Sequence, residues 1–125
     1  MITAYIRMWP REVYNIKDGN KHLESVRQEL RQKPGIYILY QNEKPYYVGQ
    51  AKNLWNRIRN HATNQNAKHY HLWTHFSAFI LSDTQHINEL EGFVIAAFDT
   101  ATANSSKMRM KRILLPKDAA KRLAK

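Results

Sequence analysis

The sequence contains no cysteine, so it forms neither a disulfide frame nor a cysteine-based zinc site. It is also poor in acidic residues, with 10 against 20 lysines and arginines. It has no run of about 18 apolar residues, and its N-terminus lacks the apolar segment of a signal peptide. We therefore expect a soluble cytoplasmic protein. Its 125 residues, 43% of them hydrophobic, are typical of one folded domain with a terminal extension.

The formal net charge of +10 is unevenly distributed. Residues 35–104 carry five basic and five acidic side chains, whereas residues 105–125 contribute +7 and residues 1–34 contribute +3. A basic arm on a neutral body is typical of a nucleic-acid binder, because contacts to phosphates release condensed counterions. A solubilising tail is the alternative. The basic residues that we expect to contact nucleic acid are Lys52, Arg59, Lys107, Arg109, Lys111 and Arg112.

The order of predicted elements is a helix, two strands, a helix, a strand and a helix, which indicates an α+β fold. We expect an α/β sandwich whose small, mostly antiparallel, three-stranded sheet is flanked by helices. Residues 1–33 would form an N-terminal extension with one helix, residues 34–104 the core and residues 105–125 a basic tail. The predicted helices are Lys21–Lys33, Ala51–Thr63 and Ser82–Phe98, with a further short basic helix at Lys117–Lys125. The predicted strands are 35–40, 46–48 and Thr74–Leu81.

The predicted hairpin places two tyrosines on one face of the sheet. Successive strand residues point to opposite faces, so Tyr37 shares a face with Leu39, and Tyr47 shares a face with Gly49. We expect Tyr37 and Tyr47 to lie nearly opposite each other. Simple cross-strand packing of two aromatic rings is the alternative to a functional site.

The helix that follows the hairpin carries Arg57 and His61, four residues apart and therefore on one helical face. Arginine offers a planar fork of donors for phosphate oxygens, and histidine exchanges a proton near neutral pH. A solvated helix edge is the alternative interpretation of this pair.

Two acids lie in the last predicted helix of the core. Glu91 is four residues after Ile87 and three before Val94, so it lies against the apolar face, whereas Glu89 has polar neighbours. A buried carboxylate is usually paired or bound to a metal. The helical pattern therefore selects Glu91 as the functional acid, and a salt bridge to Arg57 is the competing explanation.

Clustered histidines and two tryptophans are weaker signals. His69, His71 and His75 form a cluster, but no cysteine or nearby carboxylate supports a zinc site, so we interpret them as core or surface histidines. Trp55 and Trp73 would stack on bases if they were exposed. We interpret Trp73 as a core residue and leave Trp55 open.

Several of these residues together resemble the GIY-YIG endonuclease family. Gly35-Ile36-Tyr37 and Tyr47-Val48-Gly49 are similar to its two half-motifs. The likeness continues through residues 51–54 (AKNL), Arg57, His61, residues 91–95 (EGFVI) and Asn104, and it covers residues 34–104. The chain departs from the family pattern at residues 102–103, where a proline often precedes the asparagine.

This resemblance implies a metal-dependent endonuclease that hydrolyses DNA. Tyr37 would act as or beside the general base with His61 and Tyr47, and Arg57 would hold the scissile phosphate. Glu91 would bind one Mg²⁺ or Mn²⁺, and Asn104 would fix the local geometry. DNA repair or recombination, restriction and mobile-element roles all fit this activity. The alternative is a non-catalytic DNA-binding module that retains the fold.

Overall fold

The computed structural model describes residues 1–15, 21–67, 69–98, 114 and 116–123. No helix in these ranges is long and apolar enough to span a bilayer. The described strands are β1 (Ile2–Pro10), β2 (Gly35–Gln41), β3 (Lys44–Ala51) and β4 (His75–Leu81). The described helices are a 3-10 helix (Arg11–Asn15), α1 (Lys21–Leu30), α2 (Leu54–Thr63), α3 (Ile87–Ala97) and α4 (Lys117–Leu123).

One antiparallel sheet, with the strand order β1-β4-β2-β3, organises the fold. The predicted α+β class is confirmed, but the predicted count of three strands is wrong because β1 adds a fourth. Strand β1 pairs with β4 at one edge of the sheet. The first 33 residues, expected as an extension with one helix, thus supply an edge strand as well as α1.

Each face of the sheet has its own apolar core. The first face joins Tyr37, Leu39 and Tyr47 to the buried side of α2, including Leu54 and Ile58. The second face joins a separate set of strand residues, Ile36, Ile38, Tyr40 and Val48, to Ile87 and Ile95 of α3. The predicted alternation along the hairpin is therefore confirmed, and the helices flank the sheet as a sandwich.

Local hydrogen bonds set the ends of the elements next to the site. The β2–β3 hairpin turns at Asn42 and Glu43, and Asn42 adopts a left-handed φ of 58°, which asparagine tolerates better than most residues. Helix α2 begins three residues later than predicted, because the Asn53 side chain caps it by accepting a bond from the Asn56 amide at 3.3 Å.

Helix α3 begins at Ile87, so the predicted start at Ser82 is wrong by five residues. The amide of Gln85 donates instead to the Asp83 side chain at 3.0 Å, which holds this stretch in a turn before the helix.

Candidate active site

Tyr37 is the centre of the buried polar cluster on the α2 side of the sheet. Its side chain is fully buried, and its partner across the β2–β3 ladder is Gly49. A Cβ atom at Gly49 would lie only 2.4 Å from the Tyr37 hydroxyl, so the absence of a side chain there makes room for the phenol.

Tyr47 lies diagonally from Tyr37. The prediction that the two residues lie nearly opposite each other is therefore wrong. The ladder partner of Tyr47 is Leu39, because the tight turn at Asn42 and Glu43 and an extra residue in β3 each move the register by one residue from the expected one. The two rings still share a face, with centroids 6.2 Å apart. The Tyr47 ring is also 6.0 Å from the His61 ring. The structure therefore brings together both tyrosines and His61.

Two side chains of helix α2, His61 and Arg57, form hydrogen bonds with the Tyr37 hydroxyl. The Tyr37 hydroxyl lies 2.8 Å from Nε2 of His61, and both side chains are buried. Arg57, one turn earlier in α2 and largely exposed, also hydrogen-bonds to the Tyr37 hydroxyl, and this bond raises the pKa of the guanidinium. The i, i+4 spacing thus directs both predicted side chains to the same phenol.

The Tyr37 phenol is stabilised in its protonated form. Burial raises its pKa well above the usual range, and the neighbouring Tyr47 adds to the rise. The hydrogen bond and charge of Arg57 act in the opposite direction, whereas the Glu91 carboxylate raises the pKa slightly further. Tyr37 is therefore a neutral hydroxyl at physiological pH, and it needs a proton acceptor before it acts as a base.

Glu91 is buried with an unsatisfied oxygen. Its side chain is 8% exposed, and Oε2 has no hydrogen-bond partner among the described residues. No described cation lies within 4.0 Å of this carboxylate, so the alternative of a salt bridge with Arg57 is wrong for the described structure. Glu89 is exposed and lies 3.8 Å from His86. The predicted burial of Glu91 rather than Glu89 is confirmed.

The surroundings of Glu91 fit a hard cation that keeps most of its water. A buried carboxylate oxygen without a donor requires a positive partner, and Mg²⁺ is commonly held by one or two carboxylates. Within the described ranges no three His, Asp or Glu side chains form a metal-binding group. Glu91 would therefore be the main protein ligand there. The same finding gives the disfavoured zinc interpretation of His69, His71 and His75 no support.

The predicted nucleic-acid contacts fall into two groups. Lys52 is exposed and lines an open polar groove with Arg57, Asn56 and Asn60. Arg59 is exposed on another side of α2, where its charge acts on the Tyr14 phenol. The predicted residues Asn104, Lys107, Arg109, Lys111 and Arg112 lie outside the described residues.

Both tryptophans are core residues. Trp55 is 4% exposed and packs on Tyr14, with ring centroids 4.5 Å apart, so it is not positioned to stack on a base. Trp73 is also buried, as predicted, and its Nε1 donates to the His61 carbonyl at 3.4 Å.

Two residues that lie next to the site were not predicted to belong to it, although His69 was named among the clustered histidines. His69 is buried beside Tyr47 and His61, and Tyr46 hydrogen-bonds to it. The only signal for Tyr46 in the sequence is its place beside Tyr47 in a strand, and in a regular strand the two side chains would point to opposite faces.

Comparisons with known proteins show the family and the fold of the chain. The family model of the GIY-YIG catalytic domain matches residues 33–104, which is more than half of the chain. Comparison with curated proteins gives no match. Two solved point variants of the GIY-YIG N-terminal endonuclease domain of UvrC from Thermotoga maritima, each bound to the catalytic divalent cation, are similar in fold. Each match covers 70% of this chain and 98% of the solved one at a TM-score of 0.50, with identities of 22% and 21%.

Proposed function

The chain belongs to the family of GIY-YIG catalytic domains and is therefore a nuclease domain, and we propose that it is an endonuclease that hydrolyses DNA with Mg²⁺ or Mn²⁺ at Glu91. The buried, unpartnered Oε2 of Glu91 is the observation that carries the metal assignment. The solved Thermotoga maritima domains, which hold a catalytic divalent cation, add support.

Arg57 binds the scissile phosphate in this proposal. Its guanidinium is exposed on the groove side and fixed on the other side by Tyr37, so its remaining donors are directed toward a substrate. Guanidinium groups stabilise the negative charge that develops on a phosphoryl centre in the transition state. Lys52 lines the same groove and would bind a neighbouring phosphate.

Tyr37 and His61 handle the proton of the attacking water. The Tyr37 hydroxyl donates its proton across the 2.8 Å contact to Nε2 of His61, and the phenolate oxygen then takes a proton from water. The water oxygen bonds to phosphorus as the bond to the leaving oxygen breaks, and the leaving oxygen takes a proton from solvent. The raised pKa of Tyr37 makes its phenolate a strong base once it forms.

A divalent cation held by Glu91 would supply positive charge to the phosphate oxygens. Tyr47 orients His61 by ring contact, with centroids 6.0 Å apart. Asn104, at the end of the matched family region, would fix the geometry of the substrate. The basic residues of the tail, which include Lys107, Arg109, Lys111 and Arg112, would hold flanking DNA by charge.

The decisive experiment compares two glutamates of the same helix. Glu91→Gln removes the charge of the buried carboxylate, whereas Glu89→Gln makes the same chemical change at an exposed site. We expect Glu91→Gln to lower Mg²⁺-dependent cleavage by at least about 100-fold, because losing a residue that only supports a metal ligand already costs about 10–100-fold. Glu89→Gln should cleave like the wild type. Full metal-dependent cleavage by Glu91→Gln would refute the metal assignment.

The substrate panel should contain plasmid, linear duplex, single-stranded, flap and four-way-junction DNA. Each is incubated with Mg²⁺, Mn²⁺ or EDTA, and binding is measured separately in EDTA. Cleavage of one form would identify the substrate. If the purified protein binds DNA but cleaves none of these forms, the endonuclease proposal is wrong and a non-catalytic DNA-binding module takes its place.

A further inference from the structure

His69 lies between the candidate active site and a tyrosine outside it. Its ring is 4% exposed, with its centroid 4.3 Å from that of Tyr47 and 5.7 Å from that of His61. On its other side, Nδ1 lies 2.9 Å from the hydroxyl of Tyr46. The imidazole therefore contacts two site residues and is hydrogen-bonded to a third side chain that the proposed reaction does not use.

A β-bulge in the edge strand brings Tyr46 to this place. Leu39 pairs with Tyr47 and Tyr40 pairs with Pro45, so Tyr46 is an extra residue with no partner of its own in the ladder. Neighbouring side chains of a regular strand point to opposite faces, and a bulge changes the direction of one of them. Both Tyr46 and Tyr47 consequently pack on the first face of the sheet and reach His69.

The segment that carries His69 is held by the N-terminal region. The Arg11 guanidinium donates to the Ala62 carbonyl at 2.9 Å and also to the Tyr70 carbonyl. It lies 4.8 Å from the ring centroid of Tyr70 and 5.1 Å from that of Trp73. These contacts join the end of α2 to residues 70–73, which fixes the backbone on the C-terminal side of His69.

We propose that His69 is a positioning residue for Tyr47, oriented by the Tyr46 hydroxyl. The Tyr46–His69 hydrogen bond sets the rotation of the imidazole, and the imidazole then holds the Tyr47 ring against His61. The functional part of this inference rests on the proposed nuclease reaction, in which Tyr47 orients His61. Its structural part, the dependence of the Tyr47 ring on the Tyr46 hydroxyl, is separately measurable.

The test removes one hydroxyl while keeping the ring that carries it. Tyr46→Phe loses the bond to His69, and Tyr14→Phe is the matched control, because Tyr14 packs against the same core and donates instead to the Trp55 carbonyl. With the DNA form that the wild type cleaves best, we expect Tyr46→Phe to lower kcat by between about tenfold and 100-fold. We expect no change in KM, and Tyr14→Phe should retain the wild-type kcat.

The second readout is the NMR signal of the Tyr47 ring in protein with labelled tyrosine. This signal is identified as the one that is absent from the spectrum of Tyr47→Phe. We expect this signal to shift in Tyr46→Phe and to stay in place in Tyr14→Phe. A wild-type kcat in Tyr46→Phe, an equal loss in both variants, or a loss without a shift of the Tyr47 signal would each overturn the inference. If the wild type cleaves no DNA, the proposed function fails, and the NMR comparison alone still decides whether His69 positions Tyr47.

Discussion

Gly49→Ala should disable the site by moving one phenol. Gly49 faces Tyr37 across the ladder, and an added Cβ would lie 2.4 Å from both the Cζ atom and the hydroxyl oxygen of Tyr37. Ordinary contacts of this kind are 3.4–4 Å, so the ring must retreat by about 1 Å, the difference between 2.4 and 3.4 Å. Tyr37 is fully buried, and the surrounding core limits this movement.

The retreat has two measurable consequences. Overpacking a well-packed core costs about 1–3 kcal/mol, so the free energy of unfolding should fall by that amount. The 2.8 Å contact between the Tyr37 hydroxyl and His61 would be lost or badly stretched. A misplacement of about 1 Å in a catalytic group costs up to about 100-fold in rate, and we expect a loss of that order.

The assay is single-turnover cleavage with Mg²⁺, paired with urea unfolding of the same preparation. Ile38→Val is the control: it lies on the other face of β2 and should cost about 0.5–1.5 kcal/mol without touching Tyr37. We expect this variant to lose stability and keep its cleavage rate. A folded Gly49→Ala protein that cleaves within about threefold of the wild type would refute the role of the Tyr37 position.

Side-chain periodicity explains why much of the site was predictable. A strand turns its side chains over at every residue, so parity alone places Tyr37 on one face with Leu39 and Tyr47 on one face with Gly49. A helix places residues four apart on one face, which fixes Arg57 beside His61 and turns Glu91 toward the core. These are local rules that need no knowledge of the partner elements.

Other features depend on pairings that local rules do not determine. Strand β1 pairs with β4 across more than 60 residues of sequence, and at the edge of the sheet only Ile6 of this strand is buried. Such a strand carries little apolar pattern. The bulge at Tyr46 depends on the register between β2 and β3, and the contact between Tyr46 and His69 depends on that bulge. The part of the site that was missed is therefore the part that arises from tertiary pairing.

Two further predictions concern pH and salt. Burial raises the pKa of the Tyr37 phenol, so the folded chain keeps a proton that the unfolded chain releases near pH 10. Its contribution to the free energy of unfolding is complete below about pH 10 and falls above it, by up to about 1.4 kcal/mol per pH unit. Between about pH 9 and pH 11, the free energy of unfolding measured with urea should therefore fall less steeply with pH in Tyr37→Phe than in the wild type. Equal slopes in the two proteins would contradict this. In the tail, the test changes the four basic residues within 107–112 to glutamine. The plot of log affinity for duplex DNA against log salt concentration should then become less steep by up to about 4, because each phosphate contact contributes about 0.9 to the slope. Binding is best followed in Glu91→Gln, which is expected not to cleave, and an unchanged slope would show that these residues do not contact phosphates.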